Sequence, residues 1–400
     1  MKATGIITEH NPFHNGHKHH INESRKKTNA DVIISVMSGN FLQRGEPSFV
    51  DKWTRTKMAL QGGADLVIEL PYVYATAQAS DFAKGAITLL DALFCDAFCF
   101  GSEVGDIQPF LRTHHLLSQE AKRYNNYIKE EIATGISYPK ALNMAYERLT
   151  DGQTGPFADL SRPNNILGYH YVESAKQINS SMIPQTIQRI QAGYHDDIND
   201  QLTIASATGI RKSFFEKGDL SDVRQFLPKN SVQELITFNE KYDFASWESF
   251  WPLLRFTILR YSPEELRKFS EVTEGIEYLI HRAAKTANSY LDFMEKVKSK
   301  RFTWTRIQRM LTHIYTNFTW EELRSFESPT YIRLLGMNAT GKEYLNSVKK
   351  ELKLPLISRV ASSQDPMLQI DIRATDVYFS GLLNGAERIG SEYRTPPIVI

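Results

Sequence analysis

The chain has 400 residues, of which 42% are hydrophobic and 23% are charged, which is the balance of a globular protein and excludes a disordered one. Its formal net charge is +1, and its two cysteines are too few for a disulfide-rich secreted fold. The sequence has no apolar run of about 18 residues that could cross a bilayer and no secretory signal peptide at its start, so we expect a cytoplasmic protein.

The first hundred residues alternate between short apolar runs and helical periods. The runs that we predict to be strands are Ala3–Thr8, Asp31–Met37, Asp65–Leu70 and Ala97–Gly101. The segments that we predict to be helices are His17–Lys27, Trp53–Gln61 and Gln78–Leu93. Buried strands separated by helices are typical of βαβ units, so we predict an α/β fold with a parallel sheet. A fifth strand is predicted at Pro184–Ile190.

The second half of the chain is dominated by long helical periods. We place the boundary within Leu220–Ser231 and predict a first domain over residues 1–225 and a helix-rich region over residues 226–400. Within this region we expect a short strand in Met367–Phe379 and a tail in the last six residues. Trp251–Val360 contains 19 Lys and Arg against 12 Asp and Glu. This excess favours a polyanionic partner, although ordinary solvated helix faces would give the same count.

The strongest chemical signal is the segment Glu9–His17, between the first predicted strand and the first predicted helix. Ligands of open α/β sheets bind at the carboxyl ends of strands, and helix N-termini attract anions. Gly16 lets the backbone approach closely, while His14 and His17 offer imidazole N–H donors. We therefore predict a phosphate site. One alternative is a zinc site formed by His10, His14 and His17, for which no cysteine or clear carboxylate partner is nearby. The other is a polar turn with incidental histidines.

A second signal opens a predicted helix at Ser206–Arg211. The hydroxyl groups of Ser206 and Thr208 can cap the helix and donate to phosphate, and Arg211 lies about one turn further, where it can neutralise charge. This pattern is weak by itself, because Ser or Thr caps followed by Arg are common.

Together, the two segments resemble the signatures of the HxGH nucleotidyltransferase superfamily. The first signature stands here as His14-Asn-Gly-His17. The second, of the form Ser-Ser-Thr-x-Ile-Arg, has Ala207 in place of its middle serine, which removes one hydroxyl group. The resemblance implies a Rossmann-like domain that binds ATP. Class I aminoacyl-tRNA synthetases share the first signature, but their Lys-Met-Ser-Lys-Ser loop is missing from this sequence.

Longer segments are similar to the tRNA(Met) cytidine acetate ligase family and extend over most of the chain. They are Glu9–His17, Val36–Pro47, Lys52–Ala59, Asp65–Pro71, Phe100–Glu103, Arg162–Gly168 and the Ser206 motif. This resemblance implies that ATP and acetate form acetyl-adenylate and pyrophosphate. The acetyl group then moves to the wobble cytidine of elongator tRNA(Met), forming N4-acetylcytidine, and Mg²⁺ is expected with the pyrophosphate.

The same resemblance implies the residues of the site. His14 and His17 are the catalytic candidates. The ATP-binding candidates are Ile7, Thr8, Glu9, His10, Asn11, Pro12, Phe13, His14, Asn15, Gly16, His17, Lys18, His19, His20, Gly101, Asn164, Arg189, Ile190, Ser206, Thr208 and Arg211. Arg44, Lys52 and Arg55 follow the second strand and could reach phosphates or nucleic acid, or simply belong to a surface loop.

The segment Lys296–Arg309 is the candidate tRNA contact. It contains six basic residues and no acidic residue, with Phe302 and Trp304 between them. Basic side chains bind phosphates and aromatic rings stack on unpaired bases, although these two rings could equally face the core. The RNA-binding candidates are Lys296, Lys298, Lys300, Arg301, Arg306 and Arg309.

Two other functions fit parts of the sequence. One is a small-molecule adenylyltransferase, for which the basic, helix-rich second half would have no purpose. The other is an RNA-binding protein that keeps ATP as a ligand without catalysis, which the intact His14 and His17 disfavour.

Overall fold

A computed structural model describes residues 1–136, 138–189 and 204–400. Its eight strands are β1 (Ala3–Thr8), β2 (Val32–Ser38), β3 (Leu66–Leu70), β4 (Ala97–Ser102), β5 (Ile183–Gln188), β6 (Ile332–Met337), β7 (Leu356–Ile357) and β8 (Ile398–Val399). They form one mixed sheet in the order β5-β4-β1-β2-β3-β6-β7, and β8 also pairs with β6.

The described helices surround this sheet. They are α1 (Asn15–Thr28), α2 (Lys52–Gln61), α3 (Tyr72–Ala75), α4 (Ala79–Ala92), α5 (Gln108–Gln119), α6 (Ala121–Ala133), α7 (Tyr138–Thr150), α8 (Pro163–Gln177), α9 (Ala207–Lys217), α10 (Lys229–Asn239), α11 (Trp247–Arg260), α12 (Pro263–Leu266), α13 (Ile276–Thr286), α14 (Tyr290–Val297), α15 (Trp304–Tyr315), α16 (Trp320–Arg324), α17 (Ala339–Val348) and α18 (Pro366–Ser380). None of these described helices is long and apolar enough to span a membrane.

The first five strands run parallel, as the sequence predicts. The chain places β1 between β2 and β4, with Ala3 opposite Val32 and Thr4 opposite Ala97. Every residue of β2 is buried, because helices cover both faces of the sheet. The carboxyl ends of β1, β4 and β5 therefore meet at one edge, next to the N-terminus of α1. The predicted α/β class is confirmed.

The second half of the chain extends the same sheet. β6 pairs antiparallel with β3, from Leu66 opposite Met337 to Glu69 opposite Arg333. It also pairs in parallel with β7 and β8. The predicted tail thus contains an edge strand. The division into domains at residues 225 and 226 remains a prediction, and the described sheet contains strands from both sides of it.

The strand expected in Met367–Phe379 is wrong, because this segment lies in the single helix α18. Asp365 caps the helix, its carboxylate accepting hydrogen bonds from the N–H groups of Met367 and Leu368. A short apolar run cannot distinguish a strand from a buried helix by periodicity alone, and here apolar residues on several sides of the helix are buried.

Candidate active site

A cavity of roughly 630 Å³ opens at the carboxyl ends of β1, β4 and β5. The predicted site residues that line it are Ile7, Thr8, Glu9, His10, Asn11, His14, Gly16, His17, His19, His20, Gly101, Asn164, Arg189, Ser206, Thr208 and Arg211. These residues come from separate parts of the sequence, and the parallel sheet brings them together. Ile190 lies outside the described residues.

Four other predicted residues do not line the cavity. Pro12 and Phe13 are buried beside it, and the ring of Phe13 packs close to Gly62. The side chain of Asn15 donates to the carbonyl of Gln225 (3.0 Å), and Lys18 is exposed on α1. These four residues therefore do not border the cavity, and their contact with ATP stays a prediction.

His14 and His17 are fixed by the first turn of α1. His14 is the N-cap residue, and its Nδ1 accepts a hydrogen bond from the N–H of Gly16 (3.0 Å). The N–H of His14 donates in turn to Nδ1 of His17 (3.2 Å), and the two ring centroids are 3.9 Å apart. A ring nitrogen that accepts carries no hydrogen, so in the neutral rings Nε2 carries it. Both imidazoles thus keep an Nε2–H donor for a ligand.

The electrostatics of the cavity keep these rings neutral. Burial, together with the nearby charges of Arg189 and Arg211, lowers the pKa of His14 from 6.5 to about 3. Burial and the neighbouring His14 likewise hold the pKa of His17 well below its usual value. At neutral pH the two histidines therefore act as hydrogen-bond donors, and the positive charge of the site comes from arginines.

Two arginines from different parts of the chain line the cavity. Arg211, in α9, donates to the carbonyl of Asn11 (2.7 Å) and pairs with Glu46 (3.1 Å). Arg189 follows β5 and donates to Oδ1 of Asn164 (2.9 Å). Ser206 caps α9 by accepting from the N–H of Gly209 (3.0 Å). Guanidinium groups and a capped helix start suit a chain of phosphates.

Lys52 and Arg55 neither reach a phosphate or nucleic acid nor lie in a surface loop. Both side chains are fully buried in α2. Arg55 donates to backbone carbonyls, including those of Glu9 (2.7 Å) and Ser38 (3.0 Å), and Lys52 pairs with Glu69 (2.6 Å). Arg44, by contrast, is exposed and lines the cavity. The sequence pattern could not separate these three cations, because their spacing does not reveal which carbonyls and carboxylates lie opposite.

Several lining residues escaped the sequence analysis. They are mostly apolar or neutral and include Leu42, Gln43, Phe82, Phe100, Leu167 and Tyr171. Tyr171 and Leu167 lie on α8, far in sequence from either motif. An apolar residue that lines a cavity has the same sequence pattern as one that fills the core. The segments similar to the family contain Leu42, Gln43, Phe100 and Leu167, but they do not show which of their residues line a cavity.

The predicted zinc alternative finds no support in the geometry. Nδ1 of His14 and Nδ1 of His17 both accept backbone hydrogen bonds. Within residues 1–136, 138–189 and 204–400, no group of three or more His, Cys, Asp and Glu side chains is arranged to hold a metal ion.

Several basic side chains of the predicted tRNA segment form ion pairs within the fold. Arg309 is buried and forms two hydrogen bonds to Glu271 (2.8 and 2.9 Å). Arg301 and Arg306 share Glu274, and Lys296 pairs with Asp292 within α14. Phe302 is buried and Trp304 is half-buried. Among the described residues of the segment, Lys298 and Lys300 are exposed and have no carboxylate partner.

Known proteins match this chain over its whole length. The model of the HIGH Nucleotidyl Transferase family matches residues 1–391. A protein of Lysinibacillus sphaericus, named tRNA(Met) cytidine acetate ligase, is 56% identical over 401 residues that cover 100% of both chains. The chain belongs to the HIGH nucleotidyl transferases and, among them, to the tRNA(Met) cytidine acetate ligase family. It is therefore an enzyme, a ligase.

Other members of this ligase family agree in sequence and structure. The ligase of Halalkalibacterium halodurans is 47% identical and covers 100% of this chain and 98% of its own length. The apo crystal structure of Thermotoga maritima TmcAL superposes with a TM-score of 0.91 at 33% identity, covering 100% of each chain. A second structure of that protein, bound with alpha-thio ATP, gives a TM-score of 0.90 and covers 100% of this chain and 99% of its own.

Proposed function

We propose that this enzyme activates acetate with ATP and transfers the acetyl group to the wobble cytidine of elongator tRNA(Met), forming N4-acetylcytidine. The observation that carries the proposal is the pair His14 and His17, whose Nε2–H donors border a cavity that also contains Arg189 and Arg211. The names of the relatives support the acceptor and the acyl donor.

ATP would occupy this cavity. The T. maritima relative holds alpha-thio ATP, and the two chains are similar over their full lengths. We propose that the triphosphate lies against the start of α1 and the N-terminus of α9, where backbone N–H groups, Ser206, Thr208 and Arg211 converge. Gly101, Asn164 and Arg189 would hold the nucleoside from the side of β4 and β5. Ile190 stays a predicted ligand.

The first step needs no general base. Acetate is ionised at neutral pH, since carboxyl groups titrate near about pH 4. An acetate oxygen attacks the α-phosphorus, a new P–O bond forms, and the bond to pyrophosphate breaks. His14 and His17 donate to the phosphoryl oxygens, on which negative charge accumulates, while Arg211 balances the charge. Burial favours the neutral imidazoles, and the negative charge of bound triphosphate would favour protonation; the Nε2–H groups donate hydrogen bonds in either form.

In the second step the cytidine amine attacks the acetyl carbonyl and AMP leaves. The target base must leave its stack to enter the cavity. Arg44, at the exposed rim, is proposed to contact tRNA together with the predicted RNA ligands Lys296, Lys298, Lys300, Arg301 and Arg306. Lys298 and Lys300 are exposed and form no ion pair among the described residues, whereas the predicted ligand Arg309 is buried against Glu271. A cytoplasmic location belongs to this proposal, because the substrate is tRNA.

Mg²⁺ would accompany the phosphates. The described residues offer no cluster of carboxylates for it, and Glu46 at the cavity pairs with Arg211. Pyrophosphate oxygens would therefore be its main ligands, and its contribution would be to neutralise the leaving group.

The test incubates the purified enzyme with ATP, Mg²⁺, radiolabelled acetate and bacterial tRNA that contains unmodified elongator tRNA(Met). We expect label in this tRNA with the wild-type enzyme and none with His14→Ala. Acetate-dependent ATP–pyrophosphate exchange without labelled tRNA would refute the proposed acceptor. The absence of both signals, with AMP transferred to a phosphorylated small molecule, would favour the adenylyltransferase alternative.

A further inference from the structure

Resting on the proposed function, we infer that Glu9 is the catalytic base of the second step: its carboxylate holds the acceptor amine and takes the proton that the amine loses. Glu9 follows directly after β1 and precedes the HxGH segment, and its side chain lines the cavity. Glu9 lies within the segment predicted to bind ATP, but none of the ATP contacts proposed above uses its carboxylate.

The position of this carboxylate is fixed by the surrounding backbone. Oε1 of Glu9 accepts a hydrogen bond from the N–H of Gln43 (2.8 Å), and the carbonyl of Glu9 accepts one from the buried Arg55 (2.7 Å). No ion pair to a cation is formed by Glu9 in the described part of the chain. Its second oxygen is therefore available to a ligand, in a wall that also contains Tyr171.

The other titratable groups of the cavity are less suited to accept a proton. Nδ1 of His14 and of His17 already accepts a backbone hydrogen bond, which leaves Nε2–H as a donor. His10 lies edge-on to the rings of Phe13 and His17, and burial together with Arg55 holds its pKa well below 6.5. Among the described lining residues, Glu46 is the other carboxylate.

Three further groups of the cavity are also less suited to accept the proton of the amine. Glu46 is paired with Arg211 (3.1 Å), so protonation would cost this ion pair. The pKa of His20 is lowered to about 4, chiefly by burial, and its ring lies near Arg189 and the backbone of Cys99, on the side of β4. The charges that act on the pKa of Glu9 are those of Glu46, Arg44 and Arg211. Among the described residues, none forms a hydrogen bond with the ring of His19. The carboxylate of Glu9 lies beside the loop that follows β2, through its hydrogen bond from the N–H of Gln43.

The charge of Glu9 fits the order of the two steps. Burial raises the pKa of its carboxyl above the usual value and Glu46 raises it further, while the hydrogen bond from Gln43 and the charges of Arg44 and Arg211 oppose this rise. Bound triphosphate and acetate would add negative charge and favour the protonated form. When pyrophosphate leaves, most of this charge leaves too, and the ionised carboxylate becomes favoured just before the amine arrives.

The proposed step is balanced. The amine nitrogen forms a C–N bond to the acetyl carbon, and the bond between that carbon and the AMP oxygen breaks with its electron pair. The proton that the nitrogen loses goes to Oε2 of Glu9. The products are N4-acetylcytidine in tRNA and AMP, and the proton then passes to solvent.

The experiment separates the two steps in Glu9→Gln, since glutamine keeps an oxygen for the N–H of Gln43 but cannot take a proton. Acetate-dependent ATP–pyrophosphate exchange reports the first step. Single-turnover transfer from preformed enzyme-bound acetyl-adenylate to tRNA reports the second. We expect exchange within about threefold of wild type and transfer slowed about 100-fold or more, which is the usual contribution of a general base.

The pH profile gives an independent readout. Transfer by the wild-type enzyme should fall toward acid pH as one group becomes protonated, and this limb should vanish in Glu9→Gln. Glu23→Gln, on the exposed surface of α1, is the matched control and should transfer at the wild-type rate. Wild-type transfer by Glu9→Gln, or an equal loss in both steps, would overturn the inference. A wild-type enzyme without acetate-dependent exchange would instead refute the proposed function itself, and the inference with it.

Discussion

At the scale of single residues, His14 combines a structural and a chemical role in one ring. Its Nδ1 caps α1 and its Nε2–H borders the cavity. His14→Asn should separate them, because asparagine caps helices well but places no donor at the position of Nε2. We expect a loss of about 100-fold or more in ATP–pyrophosphate exchange, with the free energy of unfolding within a few tenths of a kcal/mol of wild type.

His14→Ala is the comparison, since it removes both roles. It should lose similar activity and, in addition, about 1 kcal/mol of stability in urea denaturation. If His14→Asn kept wild-type exchange, the Nε2–H group would not take part in the chemistry.

At the scale of elements, α2 fixes the backbone that follows β1 and β2, at the edge of the sheet where the cavity opens. The guanidinium of Arg55 donates to the carbonyls of Glu9, Ser38 and Gly39, at the ends of β1 and β2, and to that of Val50, just before α2. Lysine cannot reach this set with one ammonium, and buried carbonyls without partners cost about 1–3 kcal/mol each. We expect Arg55→Lys to lower the free energy of unfolding by about 3 kcal/mol and to raise the KM for ATP.

Lys57→Met, on the same helix, is the matched control. Its side chain is 44% exposed and pairs with Glu234, whose side chain is 13% exposed. Because the ammonium lies near the surface, we expect Lys57→Met to cost about 1 kcal/mol of stability and to leave the KM unchanged. An unchanged KM for ATP in Arg55→Lys would show that the hydrogen bonds of Arg55 affect stability alone.

At the scale of the whole molecule, a buried ionic network joins the two ends of the chain. Glu392 pairs with Lys52 of α2 and with Arg333 of β6 (3.5 Å), and it accepts from Thr375 (2.8 Å). Removing one partner of a buried network leaves uncompensated charge, which typically costs about 3–5 kcal/mol. We expect Glu392→Ala to lower the free energy of unfolding by this amount in urea denaturation.

Glu351→Ala, at an exposed position of the same half of the chain, should leave stability unchanged within about 0.5 kcal/mol. A separate, earlier unfolding transition of the second half in Glu392→Ala would mean that residues 226–400 unfold independently, as the predicted domain division implies. A single transition at lower urea would mean that the shared sheet couples both halves.

The sequence predicted the parallel core because its strands are continuous apolar runs bounded by turn residues. It missed β6, whose run Ile332–Met337 contains Arg333 and Gly336. Arg333 is buried there because Glu392 lies opposite, almost sixty residues further along the chain. Local pattern carries no information about such a partner, and for the same reason it did not reveal that Lys52 and Arg55 are buried against carboxylates and carbonyls.

The sequence by itself determined the α/β class, the family and the segments that surround the cavity. Periodicity, strand ends and the HxGH pattern are local properties, so one chain suffices to identify them. The tertiary structure decided which cations remain free, which ring nitrogens donate, and that the C-terminal strands complete the N-terminal sheet. Burial and hydrogen-bond partners set those outcomes, and both depend on residues that meet only when the chain is folded.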